Sequence, residues 1–494
     1  MSSRIPLEVA RVLRLGRPPE IWFKPALSVV AAVAPPNLTL VALDRLDLAM
    51  YTMAGSLCAL YAHNRPYAAR ARTLAWVLLG MLGGLTAALL AASLTGSAVV
   101  LVTVGAVLAA AQKVLCDATR IGPPGNVILT FVSSAALFVP QTLAEIPGHL
   151  ALGAAAGAWA WLVGMAPGLL RPHGPERRAT AVALRAAATY AGSVREHTLA
   201  HAESAAEHDR AGTAAEHDRA LAATALAAAR QALLGAGRAT GVRRALGRLL
   251  DRAEIALAAP ADADPDLLRA WARGLRGTRA VPLVDDLALL RGEPVPRDPL
   301  WARVRPLGRL AVRTGLGCAF AGYASLALGV GRPYWALVTA ASLYQASFTL
   351  TWGRGVQRVV GNLLGVLLFA ALVPLAHTGG LALVLCCAAL NFGAEALIGR
   401  NYWLGSVCVT PMALLITEFA GLQDPGRLIG ERVLDTVVGA LVGLLAALAV
   451  PDRARARVVR TGRGTPRTLA GAEHREVPHP DQRTQSDTTE GVRP

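Results

Sequence analysis

Apolar positions dominate two long blocks of the chain, residues 1–170 and 305–450. Between them, residues 171–304 are rich in Ala, Arg, Glu and His, and a polar tail fills 451–494. Residues 73–112 contain no charged side chain, and neither do 359–394. A helix needs about 20 apolar residues to cross a bilayer, so each run predicts two spans and a turn. Across both blocks the pattern predicts spans near 21–36, 44–62, 73–94, 97–117, 124–141 and 148–170. It predicts a second set near 307–330, 333–350, 356–376, 379–398, 402–420 and 428–450. The expected fold class is an all-α polytopic membrane protein: two repeated bundles of about six transmembrane helices with a helical cytoplasmic domain between them.

The middle block reads as helix from 179 to 259, where strong helix formers abound and breakers are few. It contains a tandem echo, "AAEHDRA" at 205–211 and again at 214–220. His197, His201, His208 and His217 lie in Ala-rich sequence with Glu/Arg spacing, the signature of solvated helix faces rather than a metal site. Residues 260–265 predict a turn and 291–299 a linker. The Pro- and Thr-bearing tail beyond 451 is expected to be disordered.

Composition strengthens the membrane reading. The chain is 54% hydrophobic and 17% charged, against about 25% charged in soluble domains. Its net charge of +16 fits cationic loops on the cytoplasmic side rather than nucleic acid. Taking the N-terminus inside places Arg65, Arg70, Arg72, Lys113, Arg120, Arg171, Arg354, Arg358, Arg400 and Arg453 in inside loops. Both termini are then cytoplasmic, in a multi-pass protein of the cell membrane. Arg far outnumbers Lys (Lys24 and Lys113 are the only two), which with the abundant Ala fits a GC-rich bacterial genome. All six cysteines fall in or beside apolar segments and read as small buried hydrophobes. No cleavable signal peptide is expected.

The two blocks also resemble each other. "LDLAMYTMAGSLCALYAHNRPYAARARTLAWVLLGMLGGLTAALL" parallels "GRPYWALVTAASLYQASFTLTWGRGVQRVVGNLLGVLLFAALV". Each is a short span, an arginine-bearing loop, then a span with spaced glycines. Six spans per half return the chain to one side, so the repeats are expected to be parallel with any substrate site between them.

One stripe stands out. Arg354, Arg358, Gly361 and Gly365 occupy positions i, i+4, i+7 and i+11, a single face of a helix. The segment around it, "RPYWALVTAASLYQASFTLTWGRGVQRVVGNLLGVLL", resembles the fusaric acid resistance (FUSC) family, relatives of the aromatic acid exporters. The matching residues are Pro333, Tyr334, Trp335, Thr349, Arg354, Arg358, Gly361 and Gly365. "RNYWLGSVCVTPMALL" (400–415) resembles the family's fifth span, and "ERVLDTVVGALVG" (431–443) its closing motif with Arg432, Asp435, Thr436 and Gly439. Asn362 stands where relatives commonly carry Thr. The likeness is strong over about 330–450 and general in the first half. It implies two membrane modules, a cytoplasmic helical insert, and efflux of small organic anions, in better known members aromatic carboxylates, using the proton gradient.

Gly361, Gly365 and Gly439 are expected to let another helix approach closely. Arg354 and Arg358 either anchor to phosphate headgroups or draw an anion inward by bidentate pairing. Arg432 and Asp435, three residues apart, form either a structural ion pair or a relay. Glu395 is a second candidate proton carrier, with pairing to Arg400 or Arg354 as the alternative. Tyr334, Trp335, Tyr402 and Trp403 fall at expected span ends, where aromatic anchoring competes with stacking on a substrate. The substrate-facing set is thus Arg354, Arg358, Asn362, Tyr334, Trp335, Tyr402 and Arg432; Asp435 and Glu395 carry protons. No Walker loop, HExxH or nucleophile elbow occurs, so no enzyme activity, cofactor or metal is expected. The expected partners are the lipid bilayer and a small organic anion, with self-association left open. The competing reading is a non-transporting membrane scaffold or envelope factor that binds a protein partner through its cytoplasmic domain.

Overall fold

Helices are the only regular structure among the described residues of the computed structural model, which are 5–16, 22–199, 205–237, 240–277, 280–282, 284, 299–344 and 348–449. The expected tail from 451 and the linker at 291–298 lie outside them, as do the side chains of His197, His201, His208 and Thr349. The first half comprises α1 (Ile5–Leu13), α2 (Phe23–Ala42), α3 (Ala49–Ser56), α4 (Tyr67–Leu94), α5 (Ala98–Thr119), α6 (Val127–Ala136), α7 (Ile146–Met165) and α8 (Pro167–Leu170). The insert comprises α9 (Gly174–Leu199), α10 (Ala205–Gly235), α11 (Gly241–Ala258) and α12 (Pro265–Gly274). The last part comprises α13 (Leu300–Val304), α14 (Gly308–Ala327), α15 (Tyr334–Leu343), α16 (Phe348–Ala376), α17 (Gly380–Ile398), α18 (Tyr402–Thr417) and α19 (Pro425–Ala449).

Among the described residues, seven helices are long and apolar enough to cross a membrane: α2, α4, α5, α7 continued by α8, α16, α17 and α19. At about 1.5 Å per residue, α4 and α16 exceed the roughly 30 Å of hydrocarbon. Four expected spans are instead shorter apolar helices: residues 46–60, α6, α15 and α18. The expected span at 44–62 is also broken, α3 being flanked by 3₁₀ turns at Leu46–Leu48 and Leu57–Leu60. Burial explains their shortness. All ten residues of α15 are buried, as are seven of the eight in α3. A helix apolar on every side belongs inside a protein, where neighbouring helices rather than its own length exclude lipid. The expected span at 307–330 is helix α14, which carries Arg309 and Arg313 and is not among the long apolar helices. The first span continues through Pro35 and Pro36 to Ala42, beyond the expected end at Pro36.

The halves pack alike. In the first, α3 lies on α7 and α4 on both α6 and α7; in the second, α15 lies on α19 and α16 on both α18 and α19. The contacts between halves come in matched pairs: α5 with α14 and α2 with α17, α6 with α15 and α3 with α18. Exchanging the halves maps each pair onto the other, as repeats related by a two-fold axis require. The largest hydrophobic core runs through both, from Val29 and Leu57 to Trp335, Phe369 and Phe419.

The insert has its own core, with Leu184, Leu226, Leu246, Leu249, Leu250 and Leu268 buried together. Asp264 caps α12 by accepting from the backbone N–H groups of Asp266 and Leu267, ahead of Pro265 in the first turn, a favoured pairing of cap and proline. Arg230 donates to Asp251 at 2.5 Å and to Glu254 at 2.7 Å, tying α10 to α11.

Candidate functional site

The stripe on α16 is a packing seam against α18. The Arg354 guanidinium lies 3.9 Å from the centroid of the Tyr402 ring, and Arg358 Nη1 donates to Tyr402 Oη at 3.1 Å. One turn on, a Cβ at Gly361 would sit 2.5 Å from Ser406 Cβ and 2.6 Å from the Trp403 carbonyl oxygen. A Cβ at Gly365 would sit 2.6 Å from Thr410 Cβ. Glycine removes the atoms that would hold the backbones apart. The same device recurs at Gly439, where a Cβ would meet the Ala336 carbonyl oxygen at 2.5 Å, on α15.

Close approach brings polar groups from five helices together. Asn362 bridges three of them: its Nδ2 donates to Thr436 Oγ1 on α19 at 2.9 Å, and its Oδ1 accepts from Thr410 Oγ1 on α18 at 2.7 Å. Arg432 on α19 lies with its guanidinium 4.1 Å from the Trp335 ring centroid on α15. Asp435 accepts from Ser325 Oγ on α14 at 2.5 Å. Arg358, Asn362, Arg432 and Asp435 are all at most 4% exposed.

Arg432 and Asp435 do not form the ion pair that their spacing invites; none joins them within 4.0 Å among the described residues. Nε and Nη1 of Arg432, Nε of Arg358 and Oδ2 of Asp435 are buried without a hydrogen-bond partner. A buried polar group lacking a partner costs on the order of 1–3 kcal/mol, more when charged. The cluster holds three guanidinium groups and one carboxylate, an arrangement suited to an added anion.

Other expected residues fall elsewhere. Glu395 on α17 is half-buried, and no ion pair to Arg400 or Arg354 occurs among the described residues. Tyr334 and Trp335 are buried in the interior, not at a lipid interface. Phe131 stacks on Trp335 at 5.5 Å and Phe138 on Tyr334 at 5.8 Å, so α6 meets α15 through aromatic faces. Beyond them lies a cavity of about 330 Å³ between the halves, lined by Tyr51, Phe131, Phe138, Arg332, Tyr334 and Phe419 among others. Only Tyr334 of the expected residues lines it; Trp335 next door carries Arg432.

Sequence reading missed several members. Ser325, the partner of Asp435, is one hydroxyl in an apolar run, and nothing local marks it. Gln357 and Asn401 donate to the Val12 carbonyl at 3.0 Å each, and Trp403 Nε1 donates to the Leu13 carbonyl at 3.1 Å. The last turn of α1 thereby closes over the end of the α16–α18 seam. At the opposite end, Arg332 bonds Glu431 at 3.1 Å and also donates to Gln423. In the first half the counterpart region is mostly neutral: Gln112, Thr130 and Ser133 hydrogen-bond one another. His63 faces Arg70 at 3.2 Å, and burial, then the guanidinium, push its imidazole down to about 4.

Comparison with known proteins places these observations. No solved structure matches the chain. The chain is 34% identical over 140 residues to "Uncharacterized membrane protein YvaC" of Bacillus subtilis (strain 168), a match covering 28% of this chain and 22% of that protein. It is 31% identical over 150 residues to "Uncharacterized protein ORF2" of Neisseria gonorrhoeae, covering 28% of this chain and 35% of that protein. The chain therefore matches about a fifth to a third of the length of these curated relatives. Residues 318–446, which contain the whole arginine–aromatic cluster, match the family described as Fusaric acid resistance protein-like.

Proposed function

We propose that the protein is a secondary transporter that exports small amphipathic organic acids across the cell membrane, aromatic carboxylates among them, with both termini cytoplasmic. The observation that carries this is the cluster of half-buried Arg354 with buried Arg358 and Arg432 and the nearby carboxylate of Asp435. Guanidinium matches carboxylate in bidentate geometry, and the partnerless nitrogens of Arg358 and Arg432 leave that geometry open. Trp335 and Tyr402, whose rings already take cations on their faces, offer apolar area to the rest of the molecule. Asn362 orients the three helices around the anion. Asp435 is the coupling acid: protonated, it leaves the site more cationic and fit for an anion; ionised, it competes for the same guanidinium groups. Glu395 sits outside the cluster, so coupling rests on Asp435. The separation of Arg432 from Asp435 also favours transport over a scaffold, which would bury the two against each other.

The test is uptake of a labelled aromatic carboxylate into vesicles holding the purified protein, with its uncharged amide as control. The wild type is expected to move the acid and not the amide under a pH gradient. Arg358→Gln is expected to lower acid transport at least tenfold. Equal transport of acid and amide, or an inserted Arg358→Gln with wild-type rates, refutes the proposal.

A further inference from the structure

We propose that the cavity between the halves is a binding site for a two-ring aromatic carboxylate, with its rings among Phe131, Phe138, Tyr334 and Phe419 and its acid group on Arg332. That this ligand is the exported acid rests on the efflux reading above. The cavity lies away from Arg354. Tyr402, which Arg354 covers, opens α18, and Thr417, which lines the cavity, closes it; the two are about 22 Å apart along the helix. The cavity is therefore a separate site, joined to the arginine cluster through the adjoining rings of Tyr334 and Trp335, 4.8 Å apart. Protein interiors leave few voids larger than a water molecule, and an apolar cavity of about 150 Å³ takes up benzene. At about 330 Å³ this one has room for roughly two such rings. Its walls suit them. Phe131 on α6 and Phe138 just after it stack on Trp335 and Tyr334 of α15 at 5.5 and 5.8 Å. Tyr51 on α3 stacks on His149 at 3.8 Å and accepts from Gln141 Nε2 at 2.5 Å. Walls held in place this way receive a flat, rigid ring with little ordering cost, whereas a flexible chain loses its rotors on entry.

The polar lining says where the charge goes. Asp47 pairs with Arg45 at 3.1 Å, both about half-exposed. Thr417 Oγ1 donates to the Leu414 carbonyl at 2.7 Å, and Gln423 Nε2 to the Thr417 carbonyl at 3.0 Å. Arg332 is the one cation lining the cavity among the described residues. Its Nη1 donates to Glu431 at 3.1 Å and its Nη2 to Gln423. Arg427 Nε donates to the same Glu431 at 2.9 Å, so two guanidinium groups share one carboxylate. Asp424, the other acid beside them, accepts from the Arg427 backbone N–H at 2.8 Å. An incoming carboxylate supplies the second negative charge through a charge-assisted hydrogen bond to Arg332. A neutral ring lacks that bond and a straight-chain acid lacks the flat face, so the site selects for both features together.

The test is equilibrium dialysis of radiolabelled 1-naphthoate against the full chain in lipid nanodiscs. Two variants fill the cavity from opposite halves: Ala135→Phe on α6 and Ala420→Phe in the turn after α18. Ala420 is exposed, so the second variant spares the core. Each is expected to weaken naphthoate binding at least tenfold. Arg332→Gln is expected to weaken 1-naphthoate at least fivefold and uncharged 1-naphthamide less than twofold. Octanoate, a straight-chain acid, is expected to compete at least tenfold less well than naphthoate. Undiminished binding in either folded cavity-filling variant, or equal loss of acid and amide in Arg332→Gln, overturns the proposal. So does octanoate competing as well as naphthoate, which makes the cavity a lipid-chain pocket. If Ala135→Phe does not fold, Ala420→Phe decides alone. Vesicle transport separates this site from the efflux reading. If the wild type moves the acid and both filled variants bind and move it alike, the efflux reading stands and this site falls. If filling abolishes binding while the wild type transports nothing, the site stands and the efflux reading falls.

Discussion

Asp435→Asn distinguishes a relay from a structural ion pair by stability alone. Asp435 has one hydrogen bond, from Ser325 at 2.5 Å, and one buried oxygen without a partner. A hydrogen bond to a charged acceptor is worth about 1.5–3 kcal/mol and a neutral one about 1 kcal/mol. An amide keeps the Ser325 bond at the neutral value, and it no longer buries a carboxylate oxygen that nothing satisfies. The loss and the relief are of similar size, so Asp435→Asn is expected within about 1 kcal/mol of the wild type. Ser325→Ala removes the carboxylate's one partner and leaves it bare, at about 2–3 kcal/mol. Breaking a true buried ion pair costs about 3–5 kcal/mol. Thermal unfolding of the detergent-solubilised full chain, followed by tryptophan fluorescence, is expected to rank wild type and Asp435→Asn together above Ser325→Ala. In vesicles the stable Asp435→Asn is expected to lose proton-driven export. A melting temperature for Asp435→Asn below that of Ser325→Ala refutes the reasoning, because it requires a bond to Arg432 that the geometry lacks.

Gly361→Ala places a methyl 2.5–2.6 Å from Ser406 and Trp403; overpacking of this kind costs about 1–3 kcal/mol, read as a lower melting temperature, whereas Gly83→Ala, which meets nothing, is expected to be silent. The His63 imidazole is held near 4, below its ordinary value, so the unfolded chain binds the extra proton between about pH 6.5 and 4. Stability is therefore fully present above that window and falls on acidification through it, by on the order of 2–3 kcal/mol; melts in His63→Gln are expected to lose that slope. Arg230→Ala strips the buried Asp251 of its partner at 2.5 Å and is expected to destabilise the insert by about 2 kcal/mol, read as faster backbone hydrogen exchange in α10 and α11 with the membrane helices unchanged.

Much of the architecture was legible in the sequence because hydropathy is additive along the chain. An uncharged run such as 73–112 has few places to go but a membrane interior, and its length sets the helices it holds. The Gly–Gly spacing on α16 announced a close helix partner, and α18 is that partner. The residues bearing the cluster were legible one at a time, because charge and aromatic rings inside apolar sequence are costly and therefore conspicuous. Their partnerships were not. Arg432 and Asp435 are neighbours by spacing, yet one turns to Trp335 on α15 and the other to Ser325 on α14. Local periodicity says which face a side chain occupies, and only the packing of five helices says what meets it there. The same limit hid α3 and α15: an apolar run of span-like length looks alike whether lipid or other helices surround it. Glu418 and His377 lie 41 residues apart in sequence, and a loop histidine and a helix-end acid meet only because α16 and α18 end side by side.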